Sequence, residues 1–547
     1  MDKIIFRIAL ENAIKYGKTN LKNIFGKVLG EKSELKNDIK KAQEEINKIV
    51  DYVNSLTPEE MKKEFSKFKI VKEVKKKVRE IPDLEVDGNV VMRFAPNPNG
   101  PLSLGHCRIA LWNWFFVEKY SGSYLLRFDD TDPKTKVPLR EAYKWVEDDL
   151  KWLGIKIDKV VRQSSRLRTY YLYAEKLIEI NGAYVCTCEP EVWKKFVWKQ
   201  NTCPCRDLPV KETMKRWKKM FKGYKEGEAV YRVKTDLNNK NPALRDWAGF
   251  RRIEESKHPF SKEKVWPLLN FASAIDDHGF SVTHILRGID LSISDDRQKY
   301  LYDYFGWTYP KTIYCGKFLV SGVKSTSESV KLIEEGKLTG WDDPRLGTIK
   351  ALRRRGFLAE VILRFIKEAG INKNELNVSI EKLAAFNKDV LDKVSFRYFF
   401  VEEPIKIKIK NSPKQNLELD LHPETKKGGR KFKTHDEFYI NEKLSDGFYR
   451  LMDCLNFTKS DKEYIFESRS IDEFKRKNGK ILLHWLPASD ALVKVELLKE
   501  DASVVNGLGE NTLNKLKEGE IVQFVRVGFV KLEKKMKTKL KFIFCHK

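Results

Sequence analysis

The run Arg93-Phe-Ala-Pro-Asn-Pro-Asn-Gly-Pro-Leu-Ser-Leu-Gly-His-Cys107 carries the residue types of a nucleotide site. An apolar strand, Val90 to Ala95, enters a Pro/Gly-rich loop, and a helix follows with Gly105 and His106 in its first turn. The loop bends at Pro98, Asn99 and Gly100. Amide N–H groups at the start of the helix favour a phosphate. Gly105 has no Cβ, so an adenosine can lie close to the backbone. His106 can aim a ring nitrogen at phosphate oxygens where charge develops. ATP is the ligand this geometry suits. On these residues alone, a structural turn with a capping histidine is the alternative.

Cys186-Thr-Cys188 and Cys203-Pro-Cys205 form a second constellation, two Cys-x-Cys pairs separated by 14 residues. That spacing suits a tetrahedral Cys₄ zinc site; four reduced thiols or a redox pair are the alternative. Cys107, Cys315, Cys454 and Cys545 are isolated and read as inert.

These residues need elements to position them. Strand and helix alternate from Asn89: strand Val90–Ala95, helix Ser103–Tyr120, strand Tyr124–Phe128, helix Glu141–Leu153, and later strand Val282–Leu286. The pattern predicts a doubly wound α/β unit with a parallel sheet, whose ligand lies at the strand carboxyl ends near Ala95–Gly100 and Asp129–Asp132. Residues 1–86 read as helices, with a capping box at Thr57-Pro58-Glu59-Glu60. Residues 186–264 break the alternation as an insertion, and 341–395 read helical. Beyond about 400 the period becomes two, cleanly in Pro404-Ile-Lys-Ile-Lys-Ile-Lys410. Ala491–Leu498, Ile521–Val530 and Lys539–Phe544 read as further strands, so antiparallel β in one or two barrels is expected.

The chain has 547 residues, enough for roughly three to five domains. Its charge, 105 − 78 = +27, points to a polyanion, nucleic acid first. Lysines scattered over every surface account for part of that excess. Residues 1–16 read as an amphipathic helix rather than a signal peptide, and no apolar run approaches about 18 residues. The expectation is a cytoplasmic protein with no membrane partner.

Five further segments make a family resemblance specific: Leu126-Arg-Phe-Asp-Asp-Thr-Asp-Pro133, Lys240-Asn-Pro-Ala-Leu-Arg-Asp-Trp247, Thr283-His-Ile-Leu-Arg-Gly288, Lys324-Ser-Thr-Ser327 and Gly340-Trp-Asp-Asp-Pro-Arg-Leu346. In this order the chain resembles archaeal-type glutamyl-tRNA synthetases, class I enzymes. The resemblance implies a Rossmann-type catalytic domain with ATP and Mg²⁺. It also implies glutamate joined through an adenylate to tRNA(Glu), with tRNA(Gln) as a further candidate acceptor; the oligomeric state is open, with a monomer favoured. A glutaminyl enzyme of the same fold and a catalytically weak tRNA-binding paralogue are the rivals.

The resemblance also implies residue roles. Ser103-Leu-Gly-His106 takes the place of the first class I signature, with Ser103 for its first histidine and as a donor to phosphate. Pro98, Gly100, Gly105 and His106 then hold ATP. Val323-Lys-Ser-Thr-Ser327 takes the place of the second signature, with Ser325 and Ser327 on ATP, and Thr326 where the second lysine belongs. Lys324 or Lys331 then supplies the missing cation. Arg93 and Arg287 match the glutamate-binding arginines, Asp129 matches the acid that holds the α-amino group, and Arg245 and Asp246 match the segment near the tRNA acceptor end. Leu269 stands where the family has a tyrosine. The implied division is 1–86 helical extension, 87–185 first catalytic half, 186–264 inserted segment, 265–330 second catalytic half, 331–395 helical connector and 396–547 anticodon-binding β-barrels.

Overall fold

The structure, a computed structural model, describes every residue except 1, 33–34, 36–37, 67, 69–79, 322–325, 426–427 and 489–490. The chain divides into two compact units, Met1–Val78 and Arg79–Lys547. The first packs helices Lys3–Tyr16, Leu21–Glu31, Ile39–Ser55 and Pro58–Ser66 around Ile5, Ile8, Ile46, Ile49 and Val53. Thr57 and Glu60 form the expected reciprocal cap (Thr57 N–H to Glu60, 2.9 Å; Glu60 N–H to Thr57 Oγ1, 3.3 Å). Residues 80–87, which the sequence reading placed largely with these helices, run extended on the second unit. There the Leu84 N–H donates to the Tyr120 hydroxyl at 2.7 Å, and the Glu85 carbonyl accepts from Lys311 at 2.9 Å.

The second unit is built on a five-stranded parallel sheet ordered Lys159–Arg162, Ser123–Phe128, Val91–Phe94, His284–Gly288, Lys311–Cys315. The sequence reading located the first two strands and the helices after them within about two residues. Gly122 returns the chain tightly to the sheet; a Cβ there would lie 2.3 Å from the Val90 carbonyl. The strand order reverses between Val91–Phe94 and His284–Gly288, which opens a crevice at their carboxyl ends. Met92, Phe94, Leu111, Trp112, Phe116, Leu126 and Phe128 fill the core between sheet and helices.

The insertion is an antiparallel sheet of Ala183–Cys186, Val230–Val233, Ala248–Arg252 and Val265–Pro267, carrying helices Pro190–Trp198 and Val210–Lys222. Its core is aromatic: Trp217, Tyr231, Phe250 and Phe271 meet edge to face with centroids 4.7–5.2 Å apart. The expected helical stretch 341–395 contains Ile349–Arg355, Ala359–Ala369 and Ile380–Val394, interrupted by strand Leu376–Ser379 on Phe318–Ser321.

Two seven-stranded sheets follow. In Ile405–Lys410 the isoleucines 407 and 409 turn inward and the lysines outward, as period two requires. Two expectations need correction. Ile521–Val530 is a hairpin, Ile521–Phe524 with Gly528–Lys535, because Arg526 adopts φ 66° and Gly528 φ 142° at the turn. The sheets are not purely antiparallel either. Val493–Leu498 runs parallel to Leu540–His546, and Ile405–Lys410 parallel to Glu463–Ser468, because the chain crosses over other strands before pairing. Among the described residues no helix is long and apolar enough to cross a membrane.

Candidate active site

The crevice at the strand reversal is the floor of a cleft of about 1340 Å³. Arg93, His106, Asp129, Arg245, Arg287 and Ser327 all line it. Arg93 and Arg287 each lie one residue from the end of the first and the fourth strand, and Asp129 follows the second.

A buried charge network holds these groups. Arg93 Nε donates to Asp277 at 3.0 Å, and among the described residues its two terminal nitrogens have no partner. Arg127 donates to Asp129 at 2.7 Å, to the same oxygen of Asp277 at 2.6 Å, and to Ser273 at 3.1 Å. Arg287 donates to Asp295 and to Gln298, both also held by the Tyr309 hydroxyl (3.0 and 2.8 Å). Three arginines thus balance three aspartates. Burial pushes the Asp129 carboxyl above its usual pKa despite Arg127. Burial acts on Asp277 too, but Arg127, Arg93 and Arg287 outweigh it and hold that carboxyl low. Sequence reasoning missed Arg127, Asp277, Asp295 and Gln298. Arg127 sat inside a quoted motif, and the Asp276-Asp277 pair in an otherwise largely apolar helix was a readable signal.

The signature loop is pinned from outside the sheet. Leu104 N–H donates to Gly347 O (3.4 Å), and Ile349 N–H to Leu102 O (2.7 Å). Gly100 admits Trp341: a Cβ there would stand 2.9 Å from the indole. Around Gly105 nothing comes nearer than 3.5 Å to such a Cβ, so packing does not demand glycine there. Ser103 is the N-cap of this helix. Its Oγ accepts from the His106 N–H (3.4 Å) and lies 3.2 Å from His106 Nδ1, and its backbone N–H donates to that nitrogen at 3.3 Å. A backbone amide can only donate, so Nδ1 is an acceptor and the neutral ring carries its proton on Nε2. Desolvation in the cleft lowers the His106 pKa, which favours the neutral ring.

Ser327 and Thr326 begin the helix Thr326–Glu334 at the cleft wall. Lys324 and Ser325 lie outside the described residues. Lys331 is not brought to the cleft; it is exposed and pairs with Glu335 at 3.8 Å.

Asp149 braces the loop from behind, its Oδ2 accepting from Leu102 N–H at 3.2 Å. Burial raises its pKa to about 7, against a weaker pull down from that hydrogen bond and from Lys350 and Arg353. The folded state therefore keeps a proton that the unfolded chain releases near pH 4. Stability is full below about pH 4 and falls as pH rises to about 7. Asp149→Asn keeps the acceptor and removes the titration. Its melting temperature should gain on the wild type between pH 5 and pH 8; parallel pH profiles for the two proteins would contradict this.

In the insertion the four cysteine sulfurs lie within 4.8 Å of one another, with Cys186–Cys203 at 3.9 Å and Cys188–Cys205 at 3.7 Å. A tetrahedron with 2.3 Å metal–sulfur bonds has edges of about 3.8 Å, so the donor set fits zinc. Thr187 N–H (3.5 Å) and Arg216 (3.2 Å) donate to Cys205 from outside. Arg245 and Asp246, expected at the acceptor end, are internal ties. Arg245 donates to the carbonyls of Asn239 and Val197. Asp246 is 1% exposed and accepts from Tyr184, Arg206 and the Thr235 amide, so it cannot touch a macromolecule directly. No local signal in the sequence distinguishes such a buried tie from a surface contact.

The family model described as tRNA synthetases class I (E and Q), catalytic domain, matches residues 89–393. Two anti-codon binding domain models of the same family match 395–474 and 482–533. A glutamate–tRNA ligase of Pyrococcus furiosus is 44% identical, covering 100% of both chains. One of Methanocaldococcus jannaschii is 42% identical, covering 98% of both. A crystal structure of a glutamate tRNA ligase from Elizabethkingia meningosepticum in complex with its amino acid is similar over 56% of this chain and 70% of that one, at 22% identity and a TM-score of 0.41. Matched by the family's models across its catalytic and β regions, and by relatives along its whole length, this chain belongs to the class I tRNA synthetases of the E and Q family.

Proposed function

We propose that the protein ligates L-glutamate to the 3′ end of tRNA(Glu), using ATP as its magnesium complex. The relatives matched end to end are named glutamate–tRNA ligases. The observation that carries the reading is the gathering of Arg93, His106, Asp129 and Arg287 at one strand reversal. Glutamate's α-carboxylate oxygen attacks the α-phosphorus, and the bond to pyrophosphate breaks. A ribose hydroxyl of the terminal adenosine then attacks the acyl carbon, and AMP leaves. Neither step requires a strong base, so positioning and charge stabilisation do most of the work.

In this reading the free nitrogens of Arg93 take the γ-carboxylate, with the charge of Arg287 beside them. Asp129 takes the α-ammonium. His106 Nε2–H and Ser327 face the phosphates, with Gly105 under the adenosine. Lys331 points elsewhere, so Lys324 is the proposed second-signature cation, with Ser325 beside it. Arg245 and Asp246 position the inserted segment. Zinc on Cys186, Cys188, Cys203 and Cys205 supplies a structural crosslink and no chemistry. Purified protein should hold about one zinc per chain and Cys203→Ser almost none, by atomic absorption; equal zinc in both would remove the assignment.

The test is aminoacylation of tRNA for glutamate and for glutamine, each offered both amino acids. Charging of tRNA(Glu) with glutamate is expected; glutamine charging would transfer the assignment to the glutaminyl side. Arg287→Ala should lower kcat/KM for glutamate by about tenfold or more, the worth of a charge-assisted contact. An unchanged value would refute the pocket.

A further inference from the structure

We infer that Trp198 is the stacking platform on which the unpaired 3′ end of the tRNA enters the cleft; this deepens the ligase reading and rests on it. Trp198 ends the helix Pro190–Trp198 and is 68% exposed, the most exposed of the large apolar side chains described. Among the described residues no aromatic or cation–π contact engages its indole. Trp193 on the same helix is used, with the Arg232 guanidinium 3.4 Å over its ring. Both tryptophans line the cleft that holds His106 and Arg93.

The helix is rigidly held. Cys188 precedes it and Cys203 follows it, so the cysteine cluster ties both ends. Near its carboxyl end the Val197 carbonyl accepts from buried Arg245 at 2.8 Å. An ordered scaffold thus presents an unpacked aromatic face at little entropic cost. Leu269 (44% exposed) and Leu291 (46%) add apolar surface to the same cleft, while Lys194 and Arg297 add positive charge. Among the described residues Lys194 is engaged by an exposed ion pair with Glu191, which a phosphate can displace. Flat apolar faces beside cations are what single-stranded nucleotides need, bases on the former and phosphates on the latter. ATP and glutamate bind at the strand ends and leave this part of the cleft without a task.

The experiment is a double-mutant cycle on the full-length protein. One arm is intact tRNA(Glu) against the same tRNA trimmed of its unpaired 3′ nucleotides; the other is wild type against Trp198→Ala. Affinities are measured at one salt concentration, because phosphate contacts dominate otherwise. Trimming should weaken wild-type binding about tenfold, the worth of one or two stacked bases, and weaken Trp198→Ala by about twofold at most. Trp198→Phe keeps an aromatic face and should retain most of the wild-type difference. Equal trimming penalties in wild type and Trp198→Ala would overturn the assignment, as would Trp198→Phe behaving like alanine. Wild-type protein that charges no tRNA would instead bring down the ligase reading itself.

Discussion

Replacing His106 with alanine should lower kcat for glutamate charging by about 100- to 1000-fold, the cost of one preorganised donor at a developing charge, while KM for tRNA changes little. The ring is neutral and its Nδ1 accepts from Ser103 N–H, so Nε2–H is its one donor. A donor aimed at the α-phosphate counts more as charge builds in the transition state than in the bound substrate, which places the effect on kcat. If His106 only completes the helix cap, alanine costs about 1 kcal/mol of stability and leaves kcat alone; steady-state kinetics with an unfolding curve separates the two. The lowered pKa fixes a second expectation. A pKa below the ordinary histidine value puts its titration under pH 7, so the rate should show no step between pH 7 and 9 from this residue.

Arg127→Leu should destabilise the second unit by about 3–5 kcal/mol, because it strands the paired carboxylate of Asp129 and takes one of two arginines from Asp277. Arg127 is 0% exposed and is held to Asp129, Asp277 and Ser273 at once. Arg93 still holds Asp277 in the variant, but Asp129 loses both of its guanidinium contacts. Urea unfolding at pH 7 measures the loss. At pH 5 the gap to wild type should narrow, since stranded carboxyls take up protons and cease to be buried charges. A cost below about 1 kcal/mol would show that the network is not held by this arginine.

The Arg127 case also shows where sequence reading stops. The strand before Asp129 was legible because a run of apolar residues between turn signals is a local property. Arg127 lies among those apolar residues, so its spacing marks it as inward. Its partners Asp277 and Ser273 are about 150 positions away, and nothing in residue order says which of many aspartates will face it. The role of Ser103 was open for a related reason. Its type fits a phosphate donor and a helix cap equally well, and the three-residue offset to His106 became decisive only once the helix was seen to begin at Leu104.

By itself the chain's residue order determined the features whose physics is short in range. These are the strand–loop–helix around Gly105 and His106, the two Cys-x-Cys pairs, the switch to period two after 400, and the cationic excess. The tertiary structure decided what depends on distant segments meeting. It brought Arg93 and Arg287 to one strand reversal, turned Asp246 inward as a tie, kept Lys331 out of the cleft, and left Trp198 in solvent at the cleft. The reason is that burial and pairing are set by what packs against a side chain, and in this fold those neighbours come from elements dozens to hundreds of residues apart.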